Sequence, residues 1–241
     1  MTARILALDT TSRFGSLALL EGHRLVDELL LDSSEGFGHI LFQHLAQFLD
    51  KNACKLPEVD CFAAAAGPGS FTGVRVGLAA VKGLAEALGK PVAAVSNLEA
   101  VAWFGTAPLR ATVLDARRGQ IYGAVYNAAL ELVSPEIVVS FPEWLKTVPP
   151  GDLEFLSTDF SPFRAALAGT PFEKTPVRDV PRALASAVGR IAATRLGAGL
   201  AGDPAEIDAN YVRRSDAELF WRDAPAYEKC QTRRSTPAEK V

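Results

Sequence analysis

The sequence predicts an α/β chain made of two tandem copies of one unit, each a mixed sheet with helices. Three observations lead there. The run Ala7-Leu8-Asp9-Thr10-Thr11-Ser12-Arg13 is an apolar strand ending in a carboxylate and a polar turn, and two more strand-like runs follow it. Val113-Leu114-Asp115-Ala116-Arg117-Arg118-Gly119 repeats that order 106 positions later, from Ala7 to Val113. Short apolar runs then alternate with segments of helical period, as in sheets joined by crossovers. The expected halves are residues 1–105 and 106–215, joined near 105–108. Residues 216–241 have no apolar periodicity past Trp221 and read as a mobile tail.

In the first half, residues 4–9, 14–20 and 24–31 read as consecutive strands separated by polar or glycine turns. Phe37, Ile40, Leu41, Leu45, Phe48 and Leu49 keep helical spacing. Residues 61–66, short and apolar, suit a buried strand. Gly67-Pro68-Gly69 breaks the extended chain. Ser70 or Thr72 then supplies an N-cap for a helix to about Leu88, closed by Gly89 and Pro91. Residues 91–95 form another strand, and Ser96 caps a helix through Trp103.

The second half starts with residues 113–126 and a third strand at 130–139. A helix begins near Phe141-Pro142-Glu143, a strand covers 154–157, and Ser161-Pro162 opens a short helix. Residues 181–196 form a long alanine-rich helix that Gly197 and Gly199 end. Asn210-Tyr211-Val212-Arg213-Arg214 closes the fold.

Hydrophobic residues make up 49% of the chain and charged residues 22%, an ordinary balance for a globular protein. A net charge of −3 argues against autonomous binding to nucleic acid or anionic membrane. Three cysteines without CxxC spacing read as reduced thiols. No basic-then-apolar leader and no membrane-spanning run are visible, so a cytoplasmic protein is expected.

Asp9 with Thr10, Thr11 and Ser12 is the first candidate site, because a strand-end carboxylate can hold hydrated Mg²⁺ while hydroxyls and turn amides approach phosphate. Actin-like ATPases and sugar kinases carry such a hairpin in each of two duplicated halves, and Asp115 stands in the second. The same residues also make simple turns. The glycine-rich stretch 67–77 lacks the Lys-Ser/Thr pair of a P-loop. Residues 197–202 are the sole candidate adenosine loop and resemble a helix terminator as closely. His39 and His44, five positions apart on one expected helix, would diverge by about 140° and cannot share a metal. Gly73, Gly77 and Ala80 put small residues on successive turns of one helix, as if a second helix approached there.

Gly67-Pro68-Gly69-Ser70-Phe71-Thr72-Gly73-Val74-Arg75-Val76-Gly77, the opening Ile5-Leu6-Ala7-Leu8-Asp9-Thr10-Thr11, and Asp115-Ala116-Arg117-Arg118-Gly119-Gln120-Ile121-Tyr122 together resemble the TsaB (YeaZ) family over residues 2–215. The resemblance implies two tandem actin-like (RNase H-like) halves and a non-catalytic subunit of the complex that transfers threonylcarbamoyl to N6 of the adenosine beside the anticodon in tRNA. It implies a TsaD-type catalytic paralogue and a TsaE-type ATPase as partners, with tRNA met only through the complex. No metal and no cofactor of its own are implied, though a nucleotide could sit at the partner interface. The implied interface comprises Phe37, Ile40, Leu41, His44, Leu45 and Phe48 on the first helix, and Gly73, Val74, Gly77, Leu78, Ala80 and Val81 on the second. An exposed apolar helix face would also make the isolated chain a homodimer. The competing reading is an actin-like ATPase or small-molecule kinase acting alone through Asp9 and Thr11.

Overall fold

The computed structural model of the chain describes residues 2–213. The expected tail, 216–241, lies outside the described residues. Two five-stranded sheets share one topology, with orders β3-β2-β1-β4-β5 and β8-β7-β6-β9-β10. The first comprises β1 (Arg4–Asp9), β2 (Phe14–Glu21), β3 (Arg24–Asp32), β4 (Cys61–Ala65) and β5 (Val92–Val95). The second comprises β6 (Leu109–Arg117), β7 (Gln120–Asn127), β8 (Leu132–Val139), β9 (Leu153–Ser157) and β10 (Val177–Asp179). In each, the first strand pairs antiparallel with the second and parallel with the fourth: Asp9 opposite Ser16, Leu8 opposite Ala64, Asp115 opposite Ile121, Thr112 opposite Leu156. The order repeat in the sequence is therefore a repeat of topology.

Helices α1 (Leu41–Lys51), α2 (Phe71–Leu88), α3 (Asn97–Ala102), α4 (Phe141–Leu145) and α5 (Ala185–Gly197) clothe the sheets. Alternation along β1 and β4 decides which face meets which helix. Leu6, Leu8, Phe62 and Ala64 pack with α1 and α2 residues such as Leu45, Val74 and Val81. Ile5, Ala7, Ala63 and Ala65 pack with Ala185, Val188 and Ile191 of α5. The alanines of β4 keep both faces shallow, and Gly189 lets α5 settle on β1 and β2: a Cβ there would stand 2.2 Å from Leu20 Cδ1 and 3.3 Å from Ala7 Cβ.

The inner helices are exchanged between the repeats. α5 follows the second sheet in sequence yet covers the first. α3 follows the first sheet yet packs Leu98 and Ala102 on Ala116, Tyr122 and Tyr126 of the second. Arg195 of α5 grips Glu99 of α3 through two bonds of 2.9 and 2.7 Å, tying the inner helices together. On its outer face the second sheet is closed by an aromatic cluster of Phe141, Trp144, Phe155, Phe160 and Phe163.

Local chemistry follows the expected caps. Ser70 accepts from the Gly73 N–H, Gly89 ends α2 at φ 62°, and Ser96 accepts from Leu98 N–H. Three expectations need correction. The first helix starts at Leu41, because Phe37 closes a preceding turn with its carbonyl accepting from Ile40 and Leu41 N–H, at 3.2 and 2.9 Å. His39 therefore lies off the helix altogether. α5 starts at Ala185 rather than 181, where Ser16 Oγ of β2 accepts from Leu184 and Ala185 N–H. Residues 197–202 end α5 and lead to the β5 edge, where Gly202 pairs with Val92 through two 3.0 Å bonds.

Candidate functional site

A cleft of about 1040 Å³ lies between the two repeats. Its walls come from the β1–β2 turn, the loop before α2, the β6–β7 hairpin, residues 157–162, and the returning chain at 210–213. The β1–β2 turn supplies Asp9, Thr11 and Ser12, and the β6–β7 hairpin supplies Asp115. The two predicted hairpins thus meet at one cleft.

The first hairpin is closed on itself. Asp9 Oδ1 accepts from Thr11 N–H at 2.9 Å and from Thr11 Oγ1 at 2.7 Å. Asn97 Nδ2 donates to Thr11 Oγ1 at 2.7 Å, and Asn97 Oδ1 accepts from Gly67 N–H at 2.9 Å. Burial pushes the Asp9 carboxyl up from its ordinary value, while bonds from Thr11 and Asn97 oppose the rise. Ser12 Oγ is spent on Phe14, donating to its carbonyl and accepting from its N–H. Asp115 repeats the device in exposed form: its Oδ1 accepts from Arg117 N–H at 2.7 Å, and its Oδ2 lies 3.2 Å from Arg117 Nη1. Both aspartates cap their own turns.

The glycine-rich loop is pressed against this hairpin. Ser70 N–H donates to Thr11 carbonyl at 2.6 Å, and Thr10 Oγ1 donates to Gly73 carbonyl at 2.7 Å. A Cβ on Gly69 would stand 2.6 Å from Thr11 O, on Gly73 2.0 Å from Thr10 O, and on Gly77 2.6 Å from Thr10 Oγ1. The small-residue face expected to receive a partner helix is therefore filled by the chain's own β1–β2 turn. Phe37, Leu41, Leu45, Phe48, Val74, Leu78, Ala80 and Val81 are likewise buried within the molecule, while Ile40 and His44 are half-buried. The outer face of these helices carries different residues: Phe42, 58% exposed, with Ala46 on α1 and Ala79 and Gly83 on α2.

Sequence reasoning missed Asn97, Asn210 and Glu136. Glu136 Oε1 accepts from Ser96 Oγ and from Tyr126 OH, and its Oε2 accepts from Asn210 Nδ2. Asn210 also donates its N–H to Ala66 carbonyl at 2.8 Å, so this hub ties both repeats to the returning chain at the cleft. The available signal was weak: Asn97 and Asn210 read as a helix start and a loop. Among the described residues no group of three or more His, Cys, Asp or Glu is placed to hold a metal, and no helix is long and apolar enough to cross a membrane.

Two repeats of one mixed-sheet topology, each offering an aspartate-ended hairpin to a shared cleft, define a two-lobed actin-like α/β protein. The family model for TsaD, tRNA N6-adenosine threonylcarbamoyltransferase, matches residues 33–177. The tRNA threonylcarbamoyladenosine biosynthesis protein TsaB of Bacillus subtilis is 34% identical over 166 residues, covering 65% of this chain and 72% of that protein. The chain belongs to the TsaB (YeaZ) family. An uncharacterized protein of Mycobacterium tuberculosis is 30% identical over 217 residues, 89% of this chain and 93% of that one. YeaZ from Pseudomonas aeruginosa superposes with a TM-score of 0.71 at 26% identity, over 86% of this chain and 100% of that structure.

Proposed function

We propose that the chain serves tRNA threonylcarbamoyladenosine biosynthesis as a non-catalytic subunit that binds a TsaD-type catalytic paralogue and holds it in a competent conformation. Family membership supports the pathway. The observation that carries the subunit reading is the closed Asp9 hairpin. A nucleotide phosphate in that corner would need free turn amides and space. Here the Thr11, Ser70 and Gly73 N–H groups are bonded to Asp9, Thr11 and Ser70, and the two loops touch. Opening the corner means breaking these hydrogen bonds at about 1 kcal/mol each before any ligand contact is made.

The partner surface in this reading is the outer face of α1 and α2, around Phe42, Ala46, Ala79 and Gly83, and the same face serves a homodimer of the isolated chain. An exposed aromatic beside small residues suits close helix approach. A TsaE-type ATPase would join the assembly, and any nucleotide would sit at the partner interface rather than in the Asp9 corner.

Light-scattering chromatography of the chain, alone and mixed with the TsaD-type protein of its own organism, tests this. A one-to-one complex that Phe42→Asp abolishes without loss of folding supports it. Failure to associate, even with nucleotide and the ATPase supplied, overturns it. ATP hydrolysis by the isolated chain, lost in Asp9→Ala, would favour the kinase-like alternative.

A further inference from the structure

Among the described residues, all six cations lining the cleft are arginines: Arg13, Arg75, Arg117, Arg118, Arg182 and Arg213. Among the described residues three carboxylates line it with them, each bonded within its own turn. Asp115 also pairs with Arg117 at 3.2 Å, and Asp32, outside the lining, pairs with Arg13 at 2.7 Å, which leaves six arginines against four carboxylates. Asp9 holds Thr11, Asp115 holds Arg117 N–H, and Asp159 accepts from Ser161 N–H and Oγ. A chain of net charge −3 thus gathers an excess of positive charge at one opening.

The arginines interleave with aromatic rings. Arg75 lies 3.7 Å over Phe71 and donates to Tyr211 OH at 3.0 Å, while Phe71 and Tyr211 stand 5.2 Å apart. Arg182 lies 4.4 Å over Phe14. Phe71 and Tyr211 are 40% and 43% exposed. At the opposite wall Arg117 and Arg118 are exposed on the β6–β7 hairpin, at φ 62° and 56°, a region non-glycine residues seldom occupy. Guanidinium groups bind phosphate through paired donors and stack on flat rings, a combination that suits nucleic acid over a carboxylate or a lipid.

We propose that this cleft rim is a docking surface for single-stranded RNA, its phosphates on the arginines and its bases against the Phe71–Tyr211 pair. The proposal rests on the tRNA-modification reading and adds a direct contact to it. A strand is favoured over a free nucleotide because the arginines come from five separate segments around the opening, spacing positive charge along a path. The one corner that could seat a polyphosphate is closed by Thr11 and Ser70.

Fluorescence anisotropy of the full chain with a labelled, unpaired RNA oligonucleotide, read across a salt series, tests the proposal. Arg75→Glu with Arg182→Glu should weaken binding about tenfold or more, and should make the salt slope shallower by about 0.7 per arginine lost. Arg117→Asn with Arg118→Asn, residues that accept positive φ, should weaken it in the same direction and guards against misfolding of the first pair. Lys174→Glu, exposed and outside the cleft lining, should leave binding unchanged. Unchanged affinity in both arginine pairs, or equal loss in Lys174→Glu, overturns the proposal. So does full displacement of the RNA by free AMP, which would mark a mononucleotide site. Co-elution with the TsaD-type partner separates the two readings. Retained complex with unaltered RNA affinity sinks the RNA surface alone, absence of complex in the unmodified chain sinks the subunit reading, and loss of complex in the arginine pairs makes the rim a protein interface.

Discussion

Three glycines on α2 should respond to the same added methyl with different signs. Gly83 meets nothing within 4 Å, so Gly83→Ala gains helix propensity of about 1 kcal/mol and should raise Tm by about 2–4 °C. At Gly73 the Cβ would stand 2.0 Å from Thr10 carbonyl oxygen and 3.0 Å from its carbon, both backbone. Relief requires α2 and the β1–β2 turn to part by more than an ångström. That movement breaks the Thr10 Oγ1 bond to Gly73 and strains the Ser70 bond to Thr11. Overpacking at about 1–3 kcal/mol plus a buried hydrogen bond at about 1 kcal/mol gives a loss of about 2–4 kcal/mol. The corresponding fall in Tm is about 4–16 °C. Gly77→Ala falls between, because its obstacle, Thr10 Oγ1 at 2.6 Å, belongs to a side chain. Adding Thr10→Ala should recover part of the Gly77→Ala loss in a double-mutant cycle. Thermal unfolding by circular dichroism reads all five variants, Thr10→Ala alone included. If Gly73→Ala keeps the parental Tm yet loses its partner, the glycine face is an external interface and the packing argument is wrong.

Other groups give sharper or simpler readouts. Phe42→Asp, at an exposed site, should change stability by about 0.5 kcal/mol or less while preventing complex formation, as read by thermal unfolding and co-elution. Burial works to raise the Glu154 carboxyl, but N–H bonds from Ala107 and Thr106 and the Arg178 guanidinium outweigh it and hold the group below its ordinary 4.5. Its contribution is therefore present above that value and lost as pH falls through the lower folded-state value; an acid titration of stability should be steeper for the parent than for Glu154→Gln. Asp9 has the opposite sign, since burial raises it: the fold favours the protonated form, and that advantage fades as pH rises through the folded value. The stability of Asp9→Asn relative to the parent should accordingly improve from acid to neutral pH in denaturant titrations. Arg195→Leu leaves Glu99 half-enclosed without its guanidinium and should cost about 3 kcal/mol by the same measurement.

The architecture was legible because strand order, carboxylate-ended turns and caps are local signals, and the repeat doubled each of them. Ser70, Gly89 and Ser96 do what their positions announce. Long-range choices were hidden. Gly73 and Gly77 announce a close approach without saying to what, and the answer, Thr10, lies 63 positions from Gly73 along the chain. Residues 181–184 keep helical composition, yet Ser16 from a distant strand caps the helix later. β10 is three residues long and carries no period to read. The Asp9 turn was found by its spacing, but its closure depends on Asn97 and on the Gly67–Ser70 loop, partners that composition cannot reveal.

The exchanged inner helices also govern how the protein can be made. During synthesis the first sheet is complete in sequence at Val95, yet the helix that covers its inner face ends at Gly197. At about 5–20 residues per second, that face waits on the order of 5–20 s for its cover. Through that interval Ile5, Ala7, Ala63 and Ala65 have no native neighbour from α5, and a nascent chain stalled near residue 150 would present them to chaperones as a sticky plane. The same geometry forbids cutting the gene at the repeat boundary: each piece would leave the ribosome with one face of its sheet bare.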